Sequence, residues 1–287
     1  VTELFEVITA DDVAHDLDEC ITRGTSDLSG IFSVPDKRGR NLVVPNEHGE
    51  LHVVSKKYSA NVIVLTLWVR GVLPDGSPPV GDGQAQFIAN LRQLLEWFTD
   101  DELVTLRYTV DGVAREIVGE VITSIDPKPD GYGRYRSAEV KIALNCAAPF
   151  WADVEPVSQT VTLSTNATAT LTEFAGATAP MEDLLVVFGQ QNNPRLMQDS
   201  TGVFVALGRV ITAGQTITVD TAVWQVYGSV GVAGGLYEGL EYGGRGTSRW
   251  FALSPEPGGG APIVRLLHTG GGSRSVTVTG KRKYKIA

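Results

Sequence analysis

Two cysteines and four histidines are all that this 287-residue chain holds of the side chains that most often bind metals or act as soft nucleophiles. Cys20 and Cys146 form no CxxC pair and no metal-ligand spacing. Two thiols cannot staple a chain of this size, so a reducing compartment is the expected setting. The histidines are His15, His48, His52 and His268. His48 and His52 stand four apart, but Gly49 lies between them in a turn-and-strand context and no Glu completes a zincin pattern. They read as ordinary surface or half-buried histidines, so neither a metal nor a cofactor is expected.

Long apolar runs are also missing. The longest, residues 62–69, is far too short to cross a bilayer. The opening Val1-Thr2-Glu3-Leu4-Phe5-Glu6 is acidic and lacks the basic and apolar regions of a signal peptide. A soluble protein made in the cytoplasm is expected, with no membrane partner. Positive charge is short too, with 24 Lys and Arg against 33 Asp and Glu and a net charge of −9. Phosphate backbones demand concentrated positive charge, so specific nucleic-acid binding is not expected.

Catalytic signatures are absent. There is no G-x-S-x-G elbow, and neither cysteine has an activating sequence neighbour. The carboxylate groups Asp11/Asp12 and Asp100/Asp101/Glu102 sit at charged turns or helix ends, where a solvated face is the plainer reading. Gly81-Asp82-Gly83 resembles the start of a phosphate-binding turn but lacks the third glycine and a preceding buried parallel strand. The glycine-dense stretch 228–246 has no Gly-Lys-Ser/Thr. Asn166-Ala167-Thr168 is a sequon that matters only in a secreted protein. The tail Lys281-Arg282-Lys283-Tyr284-Lys285 reads as a solvated edge strand more readily than as a phosphate site. No catalytic residue is assigned, and no enzyme activity is expected.

What remains is a globular composition, 43% apolar and 20% charged, with 32 glycines among many Val and Thr. That balance predicts strands and turns. The charge is uneven. Residues 1–151 hold 23 acids and 14 bases, residues 152–287 hold ten of each, and residues 1–27 carry eight acids against Arg23 alone. Two modules are expected, 1–151 and 152–287, meeting at Ala147-Ala148-Pro149-Phe150-Trp151-Ala152-Asp153.

In the first module, Leu4-Phe5-Glu6-Val7-Ile8 and Ile31-Phe32-Ser33-Val34 predict short strands. Asn41-Leu42-Val43-Val44-Pro45 and Leu51-His52-Val53-Val54 flank a polar turn. Residues 60–72 form the clearest strand, dense in β-branched and aromatic types. A Pro/Gly loop covers 73–83. Then Phe87, Leu91, Leu94, Leu95 and Phe98, with Ile88 beside them, recur at helical spacing behind Asp82 as N-cap. One amphipathic helix over 84–98 is expected. Residues 103–110 and 113–118 around Asp111-Gly112 predict a hairpin with a primed turn. Further strands are expected at 120–125 and 138–144. In the second module the Thr-rich 158–172 alternates, and strands are expected at 184–188, 202–207, 215–219, 223–227, 250–253, 263–267 and 275–279. Short strands at even spacing predict a β-sandwich.

The order of features resembles the siphophage distal tail (Dit-like) family, in its actinobacteriophage form. The first module carries Pro45-Asn46-Glu47-His48-Gly49-Glu50-Leu51, Lys56-Lys57-Tyr58, Val64-Leu65-Thr66-Leu67-Trp68-Val69-Arg70-Gly71, the helix Phe87-Ile88-Ala89-Asn90-Leu91-Arg92-Gln93-Leu94-Leu95, the Asp111-Gly112 hairpin and Pro149-Phe150-Trp151. The second carries Asn193-Pro194-Arg195-Leu196 and Ala213-Gly214-Gln215 before Ile217-Thr218-Val219-Asp220-Thr221. The resemblance covers nearly the whole chain, poorly over the first 40 residues.

It implies a mainly β fold, an N-terminal ring-forming (belt) domain with one helix followed by a galectin-like β-sandwich. It also implies a hexameric ring in the virion, joining the major tail tube protein to the tail hub or tail-associated protein, beside the tape measure protein. Receptor-binding parts would mount on its periphery. A second reading is a carbohydrate-binding sandwich, with Trp224, Tyr237, Tyr242 and Trp250 as sugar-stacking candidates against the plainer view that Trp224 and Trp250 fill the core. A third, a wall hydrolase, has no supporting motif.

Overall fold

The computed structural model describes the chain apart from residues 1, 2, 39–41, 44–49, 52–56, 82, 100–102, 124, 130–135, 231, 233, 234, 238 and 245–250. Two compact units form, one of residues 1–151 with 285–287 and one of residues 152–284. The fold is mainly β, with antiparallel sheets and one α-helix among the described residues.

The first unit follows one path of strands: Ala14–Asp16, Glu3–Ile8, Val104–Val110, Val113–Val121, Ser137–Cys146, Asn61–Arg70 and Arg23–Ser29. Alternation drives the central pair. Asn61–Arg70 buries Ile63, Leu65, Leu67 and Val69 on one face, and pairs along its whole length with Ser137–Cys146. The hairpin closes on Asp111 and Gly112 with φ of 49° and 80°, the primed-turn signature of Asp-Gly. The outermost strands, Ala14–Asp16 and Arg23–Ser29, are joined only by residues 17–22. The sheet therefore curls until its ends meet, and there Arg23 Nε donates to the Asp16 carbonyl at 2.7 Å.

The helix spans Gln84–Thr99 and packs on Asn61–Arg70. Its buried face comprises Phe87, Asn90, Leu94, Trp97 and Phe98, while Ile88 is exposed. Leu91 and Leu95 are only half-buried, so the face is turned from the one their spacing predicts. Asn90 accounts for the turn. Its Nδ2 donates to the carbonyls of Arg70 (2.7 Å) and Val72 (2.9 Å), at and just beyond the end of the strand. Asp82, the expected N-cap, lies outside the described residues.

Two other expectations are corrected. Residues 31–34 form no strand; Ile31 enters the core while the Phe32 ring meets Tyr108 edge-on at 5.7 Å. The strand expected at 120–125 is the end of Val113–Val121, which stops where pairing with Ser137–Cys146 ends. Leu42–Val43 and Glu50–Leu51 pair as short strands, and the turn between them lies outside the described residues.

The second unit is a sandwich of two sheets. One runs Val157–Ser164, Ser273–Gly280, Leu184–Phe188, Ile217–Asp220, Gln225–Gly228. The other runs Ala167–Thr170, Ile263–Thr269, Gln191–Gln198, Phe204–Leu207, Leu240–Gly243, with Val210–Ile211 also on Gln191–Gln198. Val186, Phe188, Val276 and Val278 from one sheet meet Leu196, Val205, Val264 and Leu266 from the other, with Phe174 and Phe251 filling the core. At about 1.5–3 kcal/mol per fully buried large aliphatic or aromatic side chain, this burial is the main stabilising term. Residues 251–253 form no strand; Leu253 makes an isolated bridge to Met181. Leu240–Gly243 lies inside the glycine-dense stretch 228–246, and Gln191–Gln198 adds a strand to those expected.

Candidate functional site

Among the described residues, the thiols and His15 are held in settings that disfavour their charged forms. Burial pushes the Cys146 thiol up to about 12, so it holds its proton at neutral pH. Cys20 is exposed, but hydrogen bonding with Asp18 and the nearby carboxylates raise its pKa above the ordinary thiol value. The Thr9 hydroxyl donates to Asp11 at 2.6 Å and holds that carboxylate below its usual range. His15 is pushed down, first by burial and then by Arg23. Among the described residues, no group of three or more His, Cys, Asp or Glu converges to hold a metal. His268 sits on the core face of Ile263–Thr269, and its backbone N–H reaches Thr165 Oγ1 at 3.2 Å. His48, His52 and the trio at 100–102 lie outside the described residues.

The aromatic candidates separate. Tyr242 is opposite the core residue Val205 on the edge strand Leu240–Gly243, but at the rim of the sheet its side chain remains exposed. Trp224, half-buried against the same core, approaches it from the other sheet with ring centroids 4.9 Å apart and planes at 53°. Tyr237 stands apart and exposed in the preceding loop. Trp250 lies outside the described residues.

The basic tail is not a free row of cations. Arg282 Nε meets Asp153 Oδ2 at 2.5 Å, which raises the guanidinium pKa further. Lys283 pairs with Asp183, and Tyr284 is buried. The edge-strand expectation is right in kind, since Lys283–Tyr284 is a short strand, but its side chains are tied in rather than solvated.

The organised surface feature is a ladder of hydroxyls on the five-stranded sheet. Ser158 pairs with Thr279 at 2.7 Å, Thr160 with Thr277 at 2.7 Å, and Thr162 with Ser275 at 2.8 Å. Each pair sits directly across the ladder between Val157–Ser164 and Ser273–Gly280. The signal was in the sequence as hydroxyl residues at alternate positions in both strands, but nothing local says that the two strands adjoin.

No protein-family model matches the chain, and no curated protein sequence matches it. Among solved structures, the chain is similar to the SPP1 Dit protein, described as a paradigm of the hub adsorption apparatus in phages infecting Gram-positive bacteria. The identity is 14%, the coverage 99% of both chains and the TM-score 0.61. It also aligns with a chain of the phage P2 baseplate in its Ca-activated conformation, at 10% identity over 100% of both chains and a TM-score of 0.46.

Proposed function

We propose that this chain, which has the fold of the SPP1 Dit protein, is a structural component of a phage tail tip. It forms a six-fold ring that joins the tail tube to the tail hub or baseplate and mounts host-recognition parts. The observation that carries the reading is fold correspondence over 99% of both chains, which takes in both units. Two unrelated folds joined by chance would not extend a match from one unit into the other.

The division of labour follows from charge and architecture. The first unit, with the acidic excess of residues 1–151, is the ring former, since an acidic wall lets DNA pass without holding it. The balanced second unit is the outward mount. A six-fold ring needs a heterologous contact that closes on rotation, and this contact does no turnover. The partners are further copies of the chain, the tube protein, the hub protein, the tape measure protein and receptor-binding proteins. The place is the virion tail tip.

Negative-stain imaging and multi-angle light scattering of the purified chain, alone and mixed with its tube and hub neighbours, test the reading. Closed six-membered rings in any of these mixtures are expected. A monomer that binds neither neighbour overturns it.

A further inference from the structure

A cavity of about 280 Å³ opens in the first unit where the strand Asn61–Arg70 gives way to the loop before the helix. Arg70 and Arg136 line it, with Pro78, Pro79, Gly81 and Gly83. Both arginines are exposed, and among the described residues neither has an ion-pair partner. They stand in a region where acids outnumber bases 23 to 14. Arg70 is also pre-set. Its guanidinium lies 4.4 Å from the Trp68 ring centroid. The indole is seated in turn on Gly24, its register partner, where a Cβ would stand 2.3 Å from the ring. Stacking occupies the flat face of the guanidinium and leaves its five N–H donors in the plane.

Two arginines at one mouth suit a carboxylate, which accepts a fork of parallel N–H bonds. Two are too few to hold a polyanion such as nucleic acid. The fully exposed Val80, on the same loop, adds an apolar edge. The fitting partner therefore carries a carboxylate beside a small apolar side chain, and the chain itself supplies that combination. The hairpin between Glu3–Ile8 and Ala14–Asp16 holds exposed Asp11 and Asp12 at its tip, followed by exposed Val13. The tip is held in shape before any partner arrives, which lowers the entropic cost of docking. The Asp12 N–H donates to the Thr9 carbonyl at 2.9 Å, and the Thr9 hydroxyl donates to Asp11 at 2.6 Å. Within one copy the two patches stay apart. His15 anchors the hairpin on Trp97, near the C-terminal end of the helix, whereas the cavity adjoins the N-terminal end at Gly83. The helix from Gln84 to Trp97 spans about 20 Å between them. We infer that the Asp11-Asp12-Val13 tip of one copy enters the Arg70–Arg136 cavity of the next. The contact joins two different patches, so it is heterologous and repeats around a ring. It rests on the ring reading and supplies that ring with a charged junction.

Sedimentation velocity and negative-stain imaging of two full-chain variants test it, under whichever of the conditions above assembles the parent. Arg70→Glu/Arg136→Glu gives the cavity the charge of the tip. Asp11→Lys/Asp12→Asn gives the tip the charge of the cavity, with Asn at residue 12 because it tolerates the φ of 62° there. Each variant alone is expected to associate at least about tenfold more weakly than the parent, at an unchanged melting temperature. Mixed in equal amounts, the two are expected to assemble as the parent does, because every junction of an alternating ring then joins opposite charges. If the glutamate variant melts early, Arg70→Gln/Arg136→Gln must show the same weakening. Rings that both variants leave intact overturn the inference and leave the ring reading standing. Variants that fail alone and also fail when mixed overturn it in the same way. Dimers or open chains that the variants abolish and the mixture restores support the contact and overturn the ring. A parent that assembles under none of the conditions overturns both.

Discussion

The His15 imidazole lies flat on the Trp97 indole, ring centroids 4.2 Å apart and planes within 10°. The Arg23 guanidinium sits 4.4 Å from the same indole. One helix residue thus gathers side chains from Ala14–Asp16 and Arg23–Ser29, the two ends of the curled sheet. Because His15 is held below its ordinary value of 6.5, its neutral form is the one the fold favours. That stability is complete above the ordinary value and is lost as pH falls from there through the depressed folded value. The urea midpoint of the first unit should drop between pH 7.5 and pH 5, and it should drop less in His15→Phe, which keeps a ring on Trp97. An equal drop in parent and variant would assign the acid sensitivity elsewhere.

Asn90→Leu should destabilise the first unit although it adds apolar surface. The substitution leaves the carbonyls of Arg70 and Val72 without these donors in a partly buried setting, at a cost of about 1 kcal/mol. Calorimetry of the full chain should show the transition of one unit lowered and that of the other unchanged.

Asp153→Asn should lower the transition of the second unit by about 1–2 kcal/mol, a figure discounted because Arg282 is about a third exposed. Arg282→Lys should recover part of an Arg282→Ala loss, since a lysine keeps the charge without the planar donor fork. Full recovery by lysine would mean that charge alone matters at this site.

Ellman's reagent should titrate a single thiol, Cys20, in the native chain, and slowly at neutral pH. Cys146, buried and with its pKa raised to about 12, should react only on unfolding. Two rapid thiols without denaturant would place Cys146 in an opening part of the structure.

Gly30→Ala should cost at least about 1–3 kcal/mol in the first unit. Gly30 has a φ of 92°, and a Cβ there would stand 2.3 Å from the Val62 carbonyl oxygen, a backbone atom that cannot step aside. Thermal melts of the variant check this.

Local patterns carried much of this fold. Alternation marked Asn61–Arg70, and Asp111-Gly112 marked its hairpin, because both depend on neighbours in the chain. Gln191–Gln198 carries no local strand signal, because it is polar and contains Pro194. It is held by distant partners: Gln198 Nε2 donates to the Ser254 carbonyl at 2.6 Å, and Gln198 Oε1 accepts from the Ser254 N–H at 2.8 Å. The helix limits were legible but its buried face was not. Periodicity favours Leu91 and Leu95, whereas the carbonyls at the end of a strand distant in sequence select Asn90. The same limit applies to the candidate surface. The hydroxyls of residues 158–162 and 275–279 are plain in the sequence, but their pairing across more than a hundred residues is a product of folding.

The last three residues belong to the first unit, where the Ala287 N–H reaches the Ile31 carbonyl at 3.2 Å and Arg115 Nη1 reaches that of Ile286 at 3.3 Å. The second unit is therefore an insertion, with one covalent lead in at residue 152 and another out after residue 284. A pull on an inserted domain loads two backbone joints in parallel instead of one in series. Cutting the chain after Trp151 would cost the first unit its closing segment as well as its neighbour. An exchange of the inserted domain for another must therefore keep both joints, a demand that a simple tandem pair would not make.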